Sequence, residues 1–356
     1  MPKLIALLTL IAFVSVGAVA TYIFANKESL ELNATPETKN EATSEYTYIS
    51  PISVEYLRSL NITTNEVKIE SNLLDGVNYS QYIASFLSEG YKVYGLLTVP
   101  KAEMPAEGFP AIVFLHGYIP PKEYVTTEKY VQYVGDLAKN GFVVFKIDFR
   151  GNGNSEGDSS GSYFSSAYTI DAISALKSLQ QSDNVNPNKI GVWGHSMAGN
   201  TVLRAMEVSP DFKAGVIWAG AVYSYKDFVD YGLNDSSYVH RPDTQKDSPE
   251  QKDREVSPEI QKIRSDPDSI DFEDAFWSSI SLTANVKYLE SPLQINHAVS
   301  DPVVSIDYSR DLVEVLQSAD KEFEFHEYPG GGHNIVSPYY EQAMENTIDF
   351  FNKYLK

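Results

Sequence analysis

Five short runs of unbroken apolar character dictate the architecture of this chain. They are PAIVFLH (110–116), FVVFKID (142–148), KIGVW (189–193), AGVIWAG (214–220) and PLQINHA (292–298). None alternates in polarity, so each is predicted to be buried on both faces, as central parallel strands are. EFEFHEY (322–328) follows as a further strand, and the alternating EVKIES and the run YKVYGLLTVP, closed by Pro100, precede them as hairpin strands. Helical stripes lie between. Ile170, Ile173, Leu176 and Leu179 share one face of SSAYTIDAISALKSLQQ, and Met344, Ile348, Phe351 and Leu355 share one face of the last segment. SRDLVEVLQSA carries a third helix. The predicted fold is α/β: a mostly parallel, eight-stranded mixed sheet with helices on both faces and right-handed crossovers.

Two stretches break this rhythm. Leu4 to Phe24 carries no charge and as a helix would run roughly 30 Å, the thickness of a bilayer core. Ala18-Val19-Ala20 fits a signal-peptide cleavage site, while the apolar run continuing to Phe24 fits an uncleaved anchor; both remain open. Lys3 favours an N-terminus held inside. Residues 25–50 are polar and read as a linker, leaving 51–356 as the folded domain, expected outside the cytoplasmic membrane. The second break, 222–288, is too long for a simple connection and is expected to form a helical cap over the strand ends.

Charge and composition narrow the chemistry. A net charge of −20 argues against nucleic acid and acidic membranes as partners, so membrane contact is expected only through the N-terminal segment. The absence of cysteine removes disulfides, thiolate metal sites and a thiol nucleophile. With no metal-ligand motif and no phosphate-binding loop, neither metal nor cofactor is expected. Oligomeric state is left unassigned.

The most informative turn joins KIGVW to the helix NTVLRAM through Gly194-His195-Ser196-Met197-Ala198-Gly199. A strand, a sharp turn and a helix are the setting of a nucleophile elbow, where side chains two residues either side of the serine would collide. Gly194 and Ala198 are small, so Ser196 can stand clear; the bland alternative is a serine that only caps a helix. A serine hydroxyl needs a base, and the base an orienting acid, here in the chain order serine, acid, histidine. His240, His297, His326 and His333 all follow Ser196. His333, in the glycine-rich loop YPGGGHNIV, is the expected base; His326 lies inside a strand, His297 could line the site, and His240 belongs to the cap. Asp301, in VSDPVVS after a strand, is the expected acid, with Asp307 and Asp311 falling in the next helix. Backbone N–H groups of Met197 and Tyr118 are the expected oxyanion donors, the latter following His116-Gly117 at a strand end. His116 is read as a support, Arg150 and Asp148 as structural, and Phe276 and Trp277 as packing rather than an acyl pocket.

Taken together, HGY, DFRGNGNS, NPNKIGVWGHSMAG, SDPVV and GGGH resemble, in order and spacing over about residues 80–356, the α/β-hydrolase fold of prolyl-oligopeptidase-like serine peptidases. The resemblance implies a Ser196, Asp301, His333 triad and hydrolysis through an acyl-enzyme. Ala198 stands where that family usually has glycine, and only about forty residues separate the linker from the core, against the large propeller many members carry. An unfiltered peptidase or a carboxylesterase is therefore expected. The alternative of another class is a membrane-tethered binding protein that kept the fold without the chemistry.

Overall fold

The structure is a computed structural model that describes residues 50–159, 161–233 and 258–356. The N-terminal apolar run, all but the last residue of the linker, and His240 lie outside the described residues, as do residues 234–257 of the expected cap. Among the described residues no helix is long and apolar enough to cross a membrane.

Among the described residues nine strands form one sheet: β1 (Lys68–Asn72), β2 (Tyr79–Ser88), β3 (Tyr91–Pro100), β4 (Phe109–Leu115), β5 (Val143–Ile147), β6 (Val185–His195), β7 (Phe212–Trp218), β8 (Leu293–Ala298) and β9 (Phe323–Tyr328). Their order is β1-β2-β3-β5-β4-β6-β7-β8-β9; β1, β2 and β3 are antiparallel and the remaining six run parallel. The predicted count of eight is corrected to nine by β2. Its sequence, YSQYIASFLS, hides the period of two because Ala84, Ser85 and Phe86 are all buried in succession. Ser85 is stabilised there by donating to Glu70 of the neighbouring strand at 2.7 Å.

Every residue of β4, β5 and β8 is buried, which is why these strands read as unbroken apolar runs. Their side chains still alternate between two cores. Ala111, Val113 and Leu115 of β4 point into one layer, closed by α1 (Val54–Ser59), α3 (Ala167–Leu179) and α4 (Met197–Val208), while Ile112 and Phe114 point into the other. That second layer is closed by α2 (Val131–Lys139) and by the final helix, whose Met344, Phe351 and Leu355 face the sheet as the stripe requires. Truncating Ile112, Phe114, Leu115, Met344, Phe351 or Leu355 to alanine should remove roughly 2–5 kcal/mol.

Between β7 and β8 the described part of the expected cap holds three short α-helices, Tyr225–Tyr231, Pro258–Ser265 and Ala275–Ile280. Tyr225, Ile263, Trp277 and Ile280 join Ile52 in a small separate core against which Phe276 packs. Both aromatics singled out in the sequence are thus packing residues. Arg150 has the buried acid partner its environment demands, and it is Asp171: Nη2 and Nε donate to that carboxylate at 2.7 and 3.0 Å. Asp148 instead accepts from the hydroxyls of Tyr124 and Thr126.

Candidate active site

The parallel strands all end on one edge, the edge at which an open α/β sheet offers its crevice. Ser196 follows β6, Asp301 follows β8, His333 follows β9, and Gly117 and Tyr118 follow β4. The expected serine, acid and histidine, spread over more than a hundred residues of sequence, are thereby brought together.

Ser196 sits at φ 57°, ψ −123°, a conformation that L-residues avoid and that costs about 1–3 kcal/mol. Its N–H donates to the Trp218 carbonyl at 2.9 Å, and Gly199 N–H donates to the Ser196 carbonyl at 2.8 Å, so the turn is pinned on both sides. The small residues around it are required by space. A Cβ on Gly194 would lie 2.6 Å from Val202 Cγ2 and 2.9 Å from the Ala198 carbonyl oxygen. A Cβ on Gly199 would lie 2.6 Å from the Gly220 backbone. The extra methyl of Ala198 is fully buried, so the departure from the stricter glycine pattern is accommodated.

His333 Nδ1 lies 2.8 Å from Asp301 Oδ2, and His333 Nε2 lies 2.8 Å from Ser196 Oγ. A carboxylate only accepts, so Nδ1 carries the ring hydrogen and Nε2 is left to accept from the serine hydroxyl. Asp301 is itself held: Oδ1 accepts from the N–H groups of Val303 and Val304 at 2.8 and 3.0 Å. Burial alone would raise its pKa, but hydrogen bonds from His297 and His333 and from the Val304 backbone outweigh burial and hold the carboxyl well below its ordinary range.

His297 and His116 are supports. His297 does not line the site as its place at a strand end suggested. It is fully buried behind the acid, its Nε2 3.3 Å from Asp301 Oδ2 and 3.2 Å from the Val304 carbonyl, its Nδ1 2.7 Å from Ser309 Oγ. His116 is buried between the Tyr124 and Phe149 rings and donates to the Gly117 carbonyl; burial pushes its pKa down to about 3. His326 lies on the edge strand, 3.5 Å from Glu324.

The serine opens into a cavity of about 410 Å³ lined by Gly117, Tyr118, Ile119, Pro120, Glu123, Lys129, Tyr130, His195, Ser196, His333 and Asn334. Of the two expected oxyanion donors, Tyr118 borders this cavity and Met197 begins α4 immediately after the serine, its side chain buried in the core. Tyr130, His195, Glu123 and Lys129 were not foreseen. His195 was visible as the variable position before the serine, but the other three lie in a loop without periodicity.

Fold and site together define a serine hydrolase of the α/β-hydrolase class. The model of the prolyl oligopeptidase family matches residues 129–356, and the chain belongs to that family. It is 28% identical over 244 residues to an uncharacterized peptidase, YtmA, of Bacillus subtilis, covering 68% of this chain and 82% of that one. In structure it is similar to the Pyrococcus horikoshii acylaminoacyl peptidase, with a TM-score of 0.60 at 19% identity over 78% of this chain and 42% of the other. It is also similar to acetyl xylan esterase 1 from Thermoanaerobacterium, with a TM-score of 0.58 at 16% identity over 83% of this chain and 90% of the other. The chain thus spans less than half the length of the peptidase structure and nearly all of the esterase structure.

Proposed function

We propose that the protein cleaves peptides through an acyl-enzyme, with Ser196 as nucleophile, His333 as general base and then acid, and Asp301 as the anchor of the imidazole. The observation that supports this reading is the unbroken relay from Asp301 through His333 to Ser196, both steps 2.8 Å, ending on a serine held at positive φ. Ser196 Oγ attacks the substrate carbonyl as His333 Nε2 takes its proton. The oxyanion is stabilised by the N–H groups of Met197 and Tyr118. His333 returns the proton to the departing amine, and water repeats the cycle to release the acid and restore the serine. Family membership and the peptidase relatives favour amide substrates.

A second reading, a carboxylesterase on the same machinery, is favoured by the cavity itself. Lined by the end of β6 and the loops after β4, β6 and β9, it holds about 410 Å³, toward the lower end of the range for ligand pockets, a size that suits a short acyl group. Its similarity to an esterase structure along most of that chain points the same way. Measuring kcat/KM for a short-chain aryl ester and an aminoacyl arylamide, with Ser196→Ala as control, decides between them. Arylamide turnover that vanishes in the variant supports the peptidase; ester turnover with a negligible arylamide rate supports the esterase; turnover surviving Ser196→Ala refutes both. We also propose an extracytoplasmic site of action, on the strength of the uncharged Leu4–Phe24 run and the polar stretch after it. Fractionation of expressing cells that leaves the protein in the cytosol would refute it.

A further inference from the structure

A second chain of hydrogen bonds lines the same cavity. Gly117 N–H donates to the Tyr130 hydroxyl oxygen at 3.0 Å, that oxygen lies 2.7 Å from His195 Nδ1, and His195 Nε2 lies 2.9 Å from the backbone carbonyl of His333. The direction of each bond follows from the two ends. The His333 carbonyl can only accept, so His195 Nε2 carries the hydrogen. Burial, reinforced by neighbouring His333, pushes the pKa of His195 down to about 3 and keeps the ring neutral. Nδ1 must then accept, and Tyr130 O–H donates to it. The hydroxyl oxygen is left to accept from Gly117.

We infer that Tyr130 is a positioning residue: through its hydroxyl and the His195 ring it locks the Gly117 end of β4, the serine turn and the backbone of His333 into one arrangement. The inference rests on Ser196 and His333 being the reacting groups. Two further observations carry it. Tyr130 has left-handed backbone, φ 61° and ψ 9°, at the start of α2, a strained state for an aromatic residue that persists where the side chain is held. Gly117 has no room for a side chain: a Cβ there would lie 2.7 Å from the Tyr130 hydroxyl and 3.1 Å from His195 Nδ1. The three loops are thus fitted around the hydroxyl. Removing it leaves the Gly117 N–H and His195 Nδ1 without a partner; the His333 carbonyl still keeps the hydrogen on Nε2, but the ring is no longer held from the Gly117 side. The hold on both the oxyanion side and the His333 side then loosens together.

Tyr130→Phe deletes only that hydroxyl, because the ring contacts with Phe114 at 5.7 Å and Trp193 at 6.2 Å are kept. With 4-nitrophenyl acetate as substrate, kcat should fall roughly tenfold or more while KM stays within about twofold, because a buried acceptor is orphaned but substrate contacts persist. Inhibition by phenylboronic acid, which mimics the tetrahedral state, should weaken in step with kcat. Imidazole ¹⁵N spectra should show the Nε2–H tautomer of His195 in both proteins, with the Nδ1 resonance shifted in the variant because its hydrogen bond is gone. Should Tyr130→Phe fail to fold, His195→Gln, which keeps an amide donor near the Nε2 position, should retain more kcat than His195→Leu. The inference is overturned if Tyr130→Phe keeps kcat within about twofold of wild type. It is also overturned if the kcat loss leaves boronate affinity unchanged, or if Gln and Leu at 195 behave alike. Failure of the wild type to turn over the ester and to take a fluorophosphonate on Ser196 would instead sink the reading of the site itself.

Discussion

Asp301→Asn is the substitution whose consequence the geometry fixes most tightly. The side chain of Asp301 is fully buried, and its two oxygens face different partners. Oδ1 accepts from two backbone N–H groups, Val303 at 2.8 Å and Val304 at 3.0 Å. An asparagine must leave its oxygen there, because an amide nitrogen would face two donors. The NH₂ group is then forced into the Oδ2 position, 2.8 Å from His333 Nδ1 and 3.3 Å from His297 Nε2. Both ring nitrogens carry hydrogen in the wild type, so the amide sets donor against donor. His333 escapes by moving its hydrogen to Nε2, where it points at Ser196 Oγ and cannot take the serine's proton. The same wrong tautomer costs about 10⁴ in kcat where it has been imposed on a serine–histidine–aspartate site, or about 5 kcal/mol of transition-state stabilisation. Steady-state kinetics at neutral pH with an aryl ester should show a loss of that order, with the rate of fluorophosphonate labelling falling in parallel and the fold retained. Activity within about tenfold of wild type would mean that the amide can rotate or that Asp301 does not set the tautomer, and the reasoning would be wrong.

Other perturbations follow from the same coordinates. Gly194→Ala places a methyl 2.9 Å from a backbone oxygen and should remove both activity and roughly 1–3 kcal/mol of stability by urea titration; a stable, active variant refutes the stated need for space. Arg150→Met strands the buried carboxylate of Asp171 and should destabilise the fold by roughly 3–5 kcal/mol, whereas a loss under about 1 kcal/mol would show that the pair is screened. His116 and His195 are held neutral with pKa values pushed down to about 3, while the unfolded chain protonates them near the usual 6.5. The unfolded state therefore binds more protons in this window, so stability should be full above about pH 6.5 and fall as the pH drops toward 3. Urea midpoints measured across that range should show the slope, and His116→Asn should reduce it; an unchanged slope assigns the acid sensitivity elsewhere.

How far the sequence revealed all this depends on the kind of information each feature needs. Strands buried on both faces are apolar at every position, so β4, β5 and β8 were legible as runs, and the strand–turn–helix around Ser196 gave the nucleophile. The order of elements then placed Asp301 and His333, because the loops after β8 and β9 come later in the chain than the serine and open at the edge where it stands. β2 was missed because its burial follows neighbours rather than a period of two, with Ser88 buried by Arg150 from a distant loop. Tyr130, His195 and His297 illustrate a deeper limit. Their roles are set by which ring nitrogen meets which distant carbonyl or hydroxyl, and no local spacing encodes a contact such as His195 to His333, 138 residues apart.

The central claim is that Ser196 is the group that becomes acylated. Peptide mass spectrometry after treatment of the folded protein with a fluorophosphonate tests it most directly. One adduct on the Ser196 peptide is expected, absent from Ser196→Ala and much slower to form in Asp301→Asn. No adduct, or an adduct on another serine, would contradict it.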